Sequence, residues 1–177
     1  MSAGDVSERR DRWTARAASV VAAASAVGSA AAVTGGHDLL AAGLAAASGI
    51  LLLAGGVLAH GATFLVERTL DSFADRVFDG AILSAVVWVE RADGHPSASV
   101  AALVSLCAGF LGSYVRARGN SLDYRVEESA MTRAIRYALV ALALALGSPD
   151  WLLWTLAGFL LLAAFVRVSQ VAKEERA

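Results

Sequence analysis

The sequence of 177 residues contains a single cysteine, Cys107, and a single lysine, Lys173. One cysteine excludes an internal disulfide and a thiolate metal site, and we expect Cys107, which lies in an apolar run, to be a small packing residue. The formal net charge is −1, so no excess of either charge points to nucleic acid as a partner.

Hydrophobic residues make up 57% of the chain and occur in long runs, which is typical of an integral membrane protein. We therefore predict an all-α, polytopic membrane protein with one domain over residues 1–177 and no separate soluble module. Each predicted span is near the ~20 residues that a membrane crossing requires. The six predicted spans are 17–34, 38–58, 72–89, 97–115, 133–147 and 151–170.

The basic residues are distributed unevenly between the two sides of this topology. If the amino terminus is cytoplasmic, thirteen Arg or Lys residues lie in the inner regions, and Arg91 alone lies in an outer loop. This asymmetry predicts both termini inside, in the cytoplasmic membrane. Residues 1–16 are basic and include Trp13, so we expect an amphipathic helix at the headgroup level. A cleavable signal peptide is the alternative, which would spoil the even number of spans.

The second predicted span is rich in alanine and glycine, including Gly43, Gly49, Gly55 and Gly56. Small residues let helix backbones approach one another closely, so we interpret these glycines as packing residues. A phosphate-binding loop is not predicted, because no soluble strand precedes them and no Lys-Ser or Lys-Thr pair follows.

Acidic residues recur at every fourth position where the third predicted span begins: Glu67, Asp71, Asp75 and Asp79. Residues four apart lie on one face of a helix, so like charges placed this way need water, arginines or a metal ion as a counter-charge. One interpretation is a solvated helix end whose acids pair with Arg68 and Arg76, and we favour it for Glu67. For Asp71 and Asp75 we favour a functional role, because charged groups within a span are expensive.

A second polar cluster follows the fourth predicted span on the same side of the membrane. Arg133 and Arg136 are three apart, so they share a helix face and could hold one phosphate between two guanidinium groups. Arg116 lies at the inner end of the preceding span. An acidic stripe facing an arginine patch suits phosphoryl chemistry on a lipid.

Two segments resemble the CDP-alcohol phosphotransferase family. Residues 70–79, LDSFADRVFD, resemble the second half of its signature, D-x-x-D-G-x-x-A-R-x8-G-x-x-x-D-x-x-x-D. Residues 113–118, SYVRAR, and the Arg133-x-x-Arg136 spacing look like segments of members that make phosphatidylinositol phosphate or its archaeal ether-lipid counterpart. The resemblance implies six transmembrane helices, a site that faces the cytoplasm and a homodimer.

The resemblance also implies roles for individual residues. Asp71 would be a metal ligand, and Asp75 would be both a ligand and the general base on the acceptor hydroxyl. Arg116, Arg133 and Arg136 would bind the acceptor's phosphate. In the family reaction, the hydroxyl of a small alcohol attacks the β-phosphate of a CDP-linked lipid and releases CMP, with Mg²⁺ or Mn²⁺ on the pyrophosphate. Glu67 and Asp79 are further candidate metal ligands, and His60 is another residue that could be recruited.

The first half of the signature is missing from this chain. Its two aspartates would fall near Ile50 and Leu53, and Glu67 replaces the glycine before the third aspartate. An alternative to the enzyme is therefore a catalytically degraded relative that binds a lipid, a nucleotide or a partner subunit. A transporter ranks last, because the acids are confined to one half of one span.

Overall fold

The computed structural model describes residues 3–58, 65–124, 126 and 129–174. All regular secondary structure within these residues is helical, and the prediction of an all-α fold is confirmed. Each predicted span lies within one helix, except that the fifth, 133–147, runs two residues past the end of its helix. The six helices are α1 (Ala3–Thr34), α2 (Asp38–Leu58), α3 (Leu65–Ala92), α4 (Pro96–Ser121), α5 (Ala130–Ala145) and α6 (Asp150–Glu174).

Four helices in the described part of the chain, α1, α2, α4 and α6, are long and apolar enough to cross a membrane. Helix α3 has 28 residues but carries many charged side chains. Helix α5 has 16 residues, which at about 1.5 Å per residue is shorter than a bilayer core. The chain therefore has the character of a membrane protein, while six spans and the orientation of the termini stay predictions.

The basic leader differs from the expectation of a short helix that lies apart at the headgroup level. Helix α1 runs without interruption from Ala3 to Thr34, so the leader and the first predicted span form one helix. The reason is local, because residues 5–27 contain neither glycine nor proline and nothing stops the helix before the apolar run begins.

Three glycines lie just after the ends of helices, in the short connections to the next helix. Gly36, Gly94 and Gly147 have φ values of +71°, +83° and +69°, the left-handed conformation that glycine adopts without steric cost. Pro96 then begins α4, where its missing N–H costs no helical hydrogen bond. These short connections make consecutive helices neighbours.

The core draws buried side chains from all six helices. Helix α1 packs on α2 and α3, α4 packs on α3 and α6, and α5 packs mainly on α2. At Gly49 of α2 a Cβ atom would lie 2.7 Å from the Cβ of Tyr137 on α5, so the predicted packing role of this glycine is confirmed. Cys107 is exposed, and its expected role as a packing residue is wrong because it lies on the outer face of α4.

Candidate functional site

Asp75 and Asp79 of α3 are fully buried, and each is 1% exposed. Their four-residue spacing places both carboxylates on the face of α3 that meets α5, where Arg136 binds them together. The Arg136 guanidinium donates one hydrogen bond to Asp79 at 2.9 Å and another to Asp75 Oδ1. Arg136 is itself 2% exposed, so one buried cation joins two buried anions.

Arg76, next to Asp75 in the chain, supplies a second cation. Its Nη2 donates to Asp75 Oδ2 at 2.6 Å, and its Nη1 lies 3.1 Å from Asp79 Oδ2. The same Nη1 donates to the carbonyl oxygen of Gly109 on α4 at 2.9 Å. The expected pairing of Arg76 with the acids is confirmed, but it takes place in the interior and not at a solvated helix end.

Asp71, one turn before Asp75, pairs with Arg133 of α5. Arg133 Nη2 lies 3.1 Å from Asp71 Oδ2, and Asp71 Oδ1 is buried without a hydrogen-bond partner within the described residues. Gly56 of α2 makes room for this pair, because a Cβ there would lie 2.9 Å from Arg133 Nη1. Asp71, Asp75 and Asp79 with Arg76, Arg133 and Arg136 are called the aspartate–arginine cluster below.

Tyr137 belongs to this site, although no sequence motif singled it out. Its hydroxyl donates to Asp75 Oδ1 and accepts hydrogen bonds from the Arg133 guanidinium at 3.3 and 3.4 Å. Its ring packs edge-on against Phe78 with the centroids 4.9 Å apart. Its spacing in the sequence could have identified it, because Tyr137 follows Arg133 by four residues and therefore lies on the same face of α5.

Glu67 takes no part in the cluster. Arg16 of α1 donates to Glu67 Oε1 at 2.8 Å, and the Glu67 side chain is buried. A backbone hydrogen bond and the Arg16 guanidinium hold the pKa of Glu67 below its usual range. The expectation of a solvated residue is wrong here, because the continuous helix α1 covers this end of α3.

Arg116 is partly buried on α4 and interacts electrostatically with Asp71, so it lies near the cluster as the resemblance implies. The structure thus brings together Asp71, Asp75, Asp79, Arg116, Arg133 and Arg136. Their roles in catalysis and in phosphate binding stay predictions. His60 lies outside the described residues.

The donor set of the cluster does not fit the implied metal site. A hard divalent cation takes about six or more oxygen ligands, whereas the three aspartates already face three guanidinium groups of equal total charge. Among residues 3–58, 65–124, 126 and 129–174, no group of three or more His, Cys, Asp or Glu side chains is placed to hold a metal ion. The metal-ligand roles of Glu67, Asp71, Asp75 and Asp79 therefore stay predictions without structural support.

The chain is similar to CDP-alcohol phosphotransferases, and the similarity predicted from the motifs, in the branch that makes phosphatidylinositol phosphate, is confirmed by two comparisons. A search against protein-family models gives no match.

The individual relatives are phosphatidylinositol phosphate synthases. The enzyme of Corynebacterium glutamicum is 37% identical over 97 residues, which span 50% of this chain and 44% of that protein. The chain thus matches less than half the length of this curated relative. The crystal structure of the Mycobacterium tuberculosis enzyme with CDP-DAG bound superposes with a TM-score of 0.74 over 89% of this chain and 85% of that one, at 19% identity. This second likeness shows that the two proteins share their fold.

Proposed function

We propose that this protein is a CDP-alcohol phosphotransferase of phospholipid synthesis. It transfers a phosphatidyl-type group from a CDP-linked lipid to an alcohol acceptor, with inositol phosphate as the first candidate, and releases CMP. The observation that carries this proposal is the 37% identity to a phosphatidylinositol phosphate synthase. The shared fold and the aspartate–arginine cluster support it.

The cluster suggests how the acceptor would be activated. In the structure Asp75 accepts hydrogen bonds from Arg136, Arg76 and Tyr137, which makes it a poor base. A phosphate group that binds Arg133 and Arg136 competes with Asp75 for the Arg136 guanidinium. Binding of the acceptor thereby removes one of the three donors from Asp75 and makes it a better base. Asp75 then takes the proton of the hydroxyl as the hydroxyl oxygen bonds to the β-phosphate and the bond from the β-phosphate to CMP breaks.

The resemblance implies Mg²⁺ or Mn²⁺ as a cofactor, whereas the aspartates of the cluster are already paired with arginines. Purified protein in nanodiscs is supplied with CDP-linked lipids and a panel of alcohols, with and without Mn²⁺, and CMP release is followed. Transfer predicts CMP release that Asp75→Asn lowers by a factor of 10² or more, on the order of what general base catalysis contributes. If no donor gives CMP release and Asp75→Asn behaves like the wild type, the enzyme hypothesis is wrong.

The second candidate function is binding of a CDP-linked lipid or nucleotide without transfer. It is favoured by one observation: Asp71, Asp75 and Asp79 all pair with arginines, and α2 carries no acid after Asp38 to complete a metal site. This candidate predicts saturable binding of the CDP-linked lipid with no CMP release. The same preparation therefore separates the two functions.

We further propose that the protein resides in the cytoplasmic membrane as a homodimer of one-domain chains, with six spans and both termini inside. Asp93 is exposed in the connection before α4, and Ser121 is exposed at the far end of that helix. In a Cys107→Ser background, Asp93→Cys should react with an impermeant maleimide on intact cells, and Ser121→Cys should react only after permeabilisation. The reverse result would contradict the orientation, and light scattering of the purified protein in detergent tests the dimer.

A further inference from the structure

The Tyr137 hydroxyl links two members of the aspartate–arginine cluster that form no hydrogen bond with each other. Arg133 Nη2 lies 3.9 Å from Asp75 Oδ1, which is beyond hydrogen-bond distance. Tyr137 bridges this gap, because its hydroxyl accepts from Arg133 and donates to Asp75 Oδ1. A guanidinium, a phenol and a carboxylate thus form one chain of hydrogen bonds.

The Tyr137 ring is held in place from several sides. It is buried, packs edge-on against Phe78 and carries the Arg136 guanidinium over its face, 4.9 Å from the ring centroid. Gly49 of α2 leaves room for the Tyr137 Cβ. None of these contacts uses the hydroxyl, so the ring fixes the position of the oxygen and leaves its hydrogen bonds to the cluster.

The order of the groups in this chain gives Arg133 an influence on Asp75. A donor to the phenol oxygen polarises the O–H bond, so the contact from Arg133 strengthens the hydrogen bond that Tyr137 donates to Asp75. Each hydrogen bond to the carboxylate stabilises its charged form and makes Asp75 a weaker base. The basicity of Asp75 therefore depends on whether Arg133 donates to Tyr137.

We propose that Tyr137 is a positioning residue that couples the phosphate of the acceptor to Asp75, an inference that rests on the proposed function. A phosphate that binds Arg133 and Arg136 draws Arg136 away from Asp75 directly. It also weakens the hydrogen bond from Tyr137, because Arg133 turns from the phenol oxygen to the phosphate. Asp75 thus becomes fully basic only with an acceptor that carries a phosphate, which favours a phosphorylated alcohol over a free one.

Tyr137→Phe removes the hydroxyl and keeps the ring, and CMP release with inositol and with inositol phosphate tests the coupling. With inositol, Tyr137→Phe should raise kcat about threefold, because Asp75 loses a donor and becomes a better base. With inositol phosphate, kcat should change little, so the ratio of the two kcat values should fall while KM for the CDP-linked lipid stays the same. Tyr114→Phe, at an exposed position on α4, is the matched control and should change neither rate. Damage to the fold lowers both rates and raises neither.

Fluorine NMR of the full chain labelled with fluorotyrosine gives a readout that needs no transfer. The chain has three tyrosines, and each signal is assigned by its loss in the corresponding Tyr→Phe variant. Inositol phosphate should shift the Tyr137 signal, whereas inositol should not. The Tyr114 signal should stay in place with both compounds.

The two measurements separate this inference from the proposed function. CMP release without a shift of the Tyr137 signal, or a kcat ratio that Tyr137→Phe leaves unchanged, would overturn the coupling and leave the transfer reaction standing. A fall in both rates in Tyr137→Phe would show a structural role and would also overturn it. A shift without CMP release would support the coupling and contradict transfer, and the absence of both would overturn both.

Discussion

The Arg136 guanidinium is hydrogen-bonded to the Asp75 carboxylate, which lies 61 residues earlier in the chain. Both side chains are buried, so this pair fixes α5 against α3 through charged groups that have left water. A buried ion pair is weak evidence for net stability, but removal of one partner leaves an uncompensated buried charge. The pair therefore holds the register of the two helices in which all the candidate site residues except Arg116 lie.

Arg136→Met should destabilise the protein strongly, by roughly 3–5 kcal/mol, because Asp75 and Asp79 lose a shared cation in the interior. Thermal unfolding in detergent is the measurement. Arg136→Met combined with Asp79→Asn should recover part of the loss, since one orphaned charge is removed. Arg118→Gln, at an exposed position, should stay within about 0.5 kcal/mol of the wild type. A double variant as unstable as Arg136→Met would contradict the bridging role of Arg136.

Much of this arrangement follows from sequence patterns. Hydrophobic runs predicted the six helices, and the four-residue period put Asp71, Asp75 and Asp79 on one face of α3. The shared face of Arg133 and Arg136 was also predictable, because the spacing of residues along one helix decides which of them share a face. Which arginine pairs with which aspartate could not be predicted, since this depends on how α3 and α5 pack against each other. The role of Tyr137 was missed for the same reason.

The environment of Glu67 was predicted wrongly for a different reason. Its position at the start of α3 suggested solvent, and its burial arises from Arg16, 51 residues away on α1. Arg16 lies just before the predicted span 17–34, and it reaches Glu67 because α1 already begins at Ala3. The composition of residues 1–16 had instead predicted a helix at the headgroup level. The polarity of the neighbouring residues therefore predicted a solvated Glu67, whereas the polar start of α1 packs over it and buries it.

Gly49→Ala should destabilise the protein by roughly 1–3 kcal/mol, because the new methyl group would overlap Tyr137 and force α2 and α5 apart. Gly43→Ala, in the same helix, is the matched control, since a Cβ there meets nothing within 4 Å. The control should be neutral or gain up to about 1 kcal/mol from helix propensity. Unfolding temperatures of the two variants give the comparison, and equal effects would argue against close α2–α5 contact.

Mn²⁺ should bind weakly to the protein without substrate, because arginines already neutralise Asp71, Asp75 and Asp79. Electron paramagnetic resonance measures bound Mn²⁺ directly, and EDTA should leave the unfolding temperature unchanged. The wild type and Asp71→Asn should bind Mn²⁺ equally poorly. Tight binding that Asp71→Asn removes would show that the aspartates exchange their arginine partners for a metal, and would support the cofactor implied by the family resemblance.

Acid should weaken the contact between α1 and α3 through Glu67. The pKa of Glu67 is lower in the folded protein than its unfolded value near 4.5, so its stabilising contribution is complete above pH 4.5 and is lost as the pH falls through the folded pKa. The difference in unfolding temperature between the wild type and Glu67→Gln should thus be largest near neutral pH and shrink below pH 4.5. High salt should reduce it as well, because the Arg16 side chain is 39% exposed. Arg68→Gln, at an exposed neighbouring position, should show a difference that does not vary in this pH range. A Glu67→Gln difference that grows on acidification would show that Glu67 is not held as a carboxylate by Arg16.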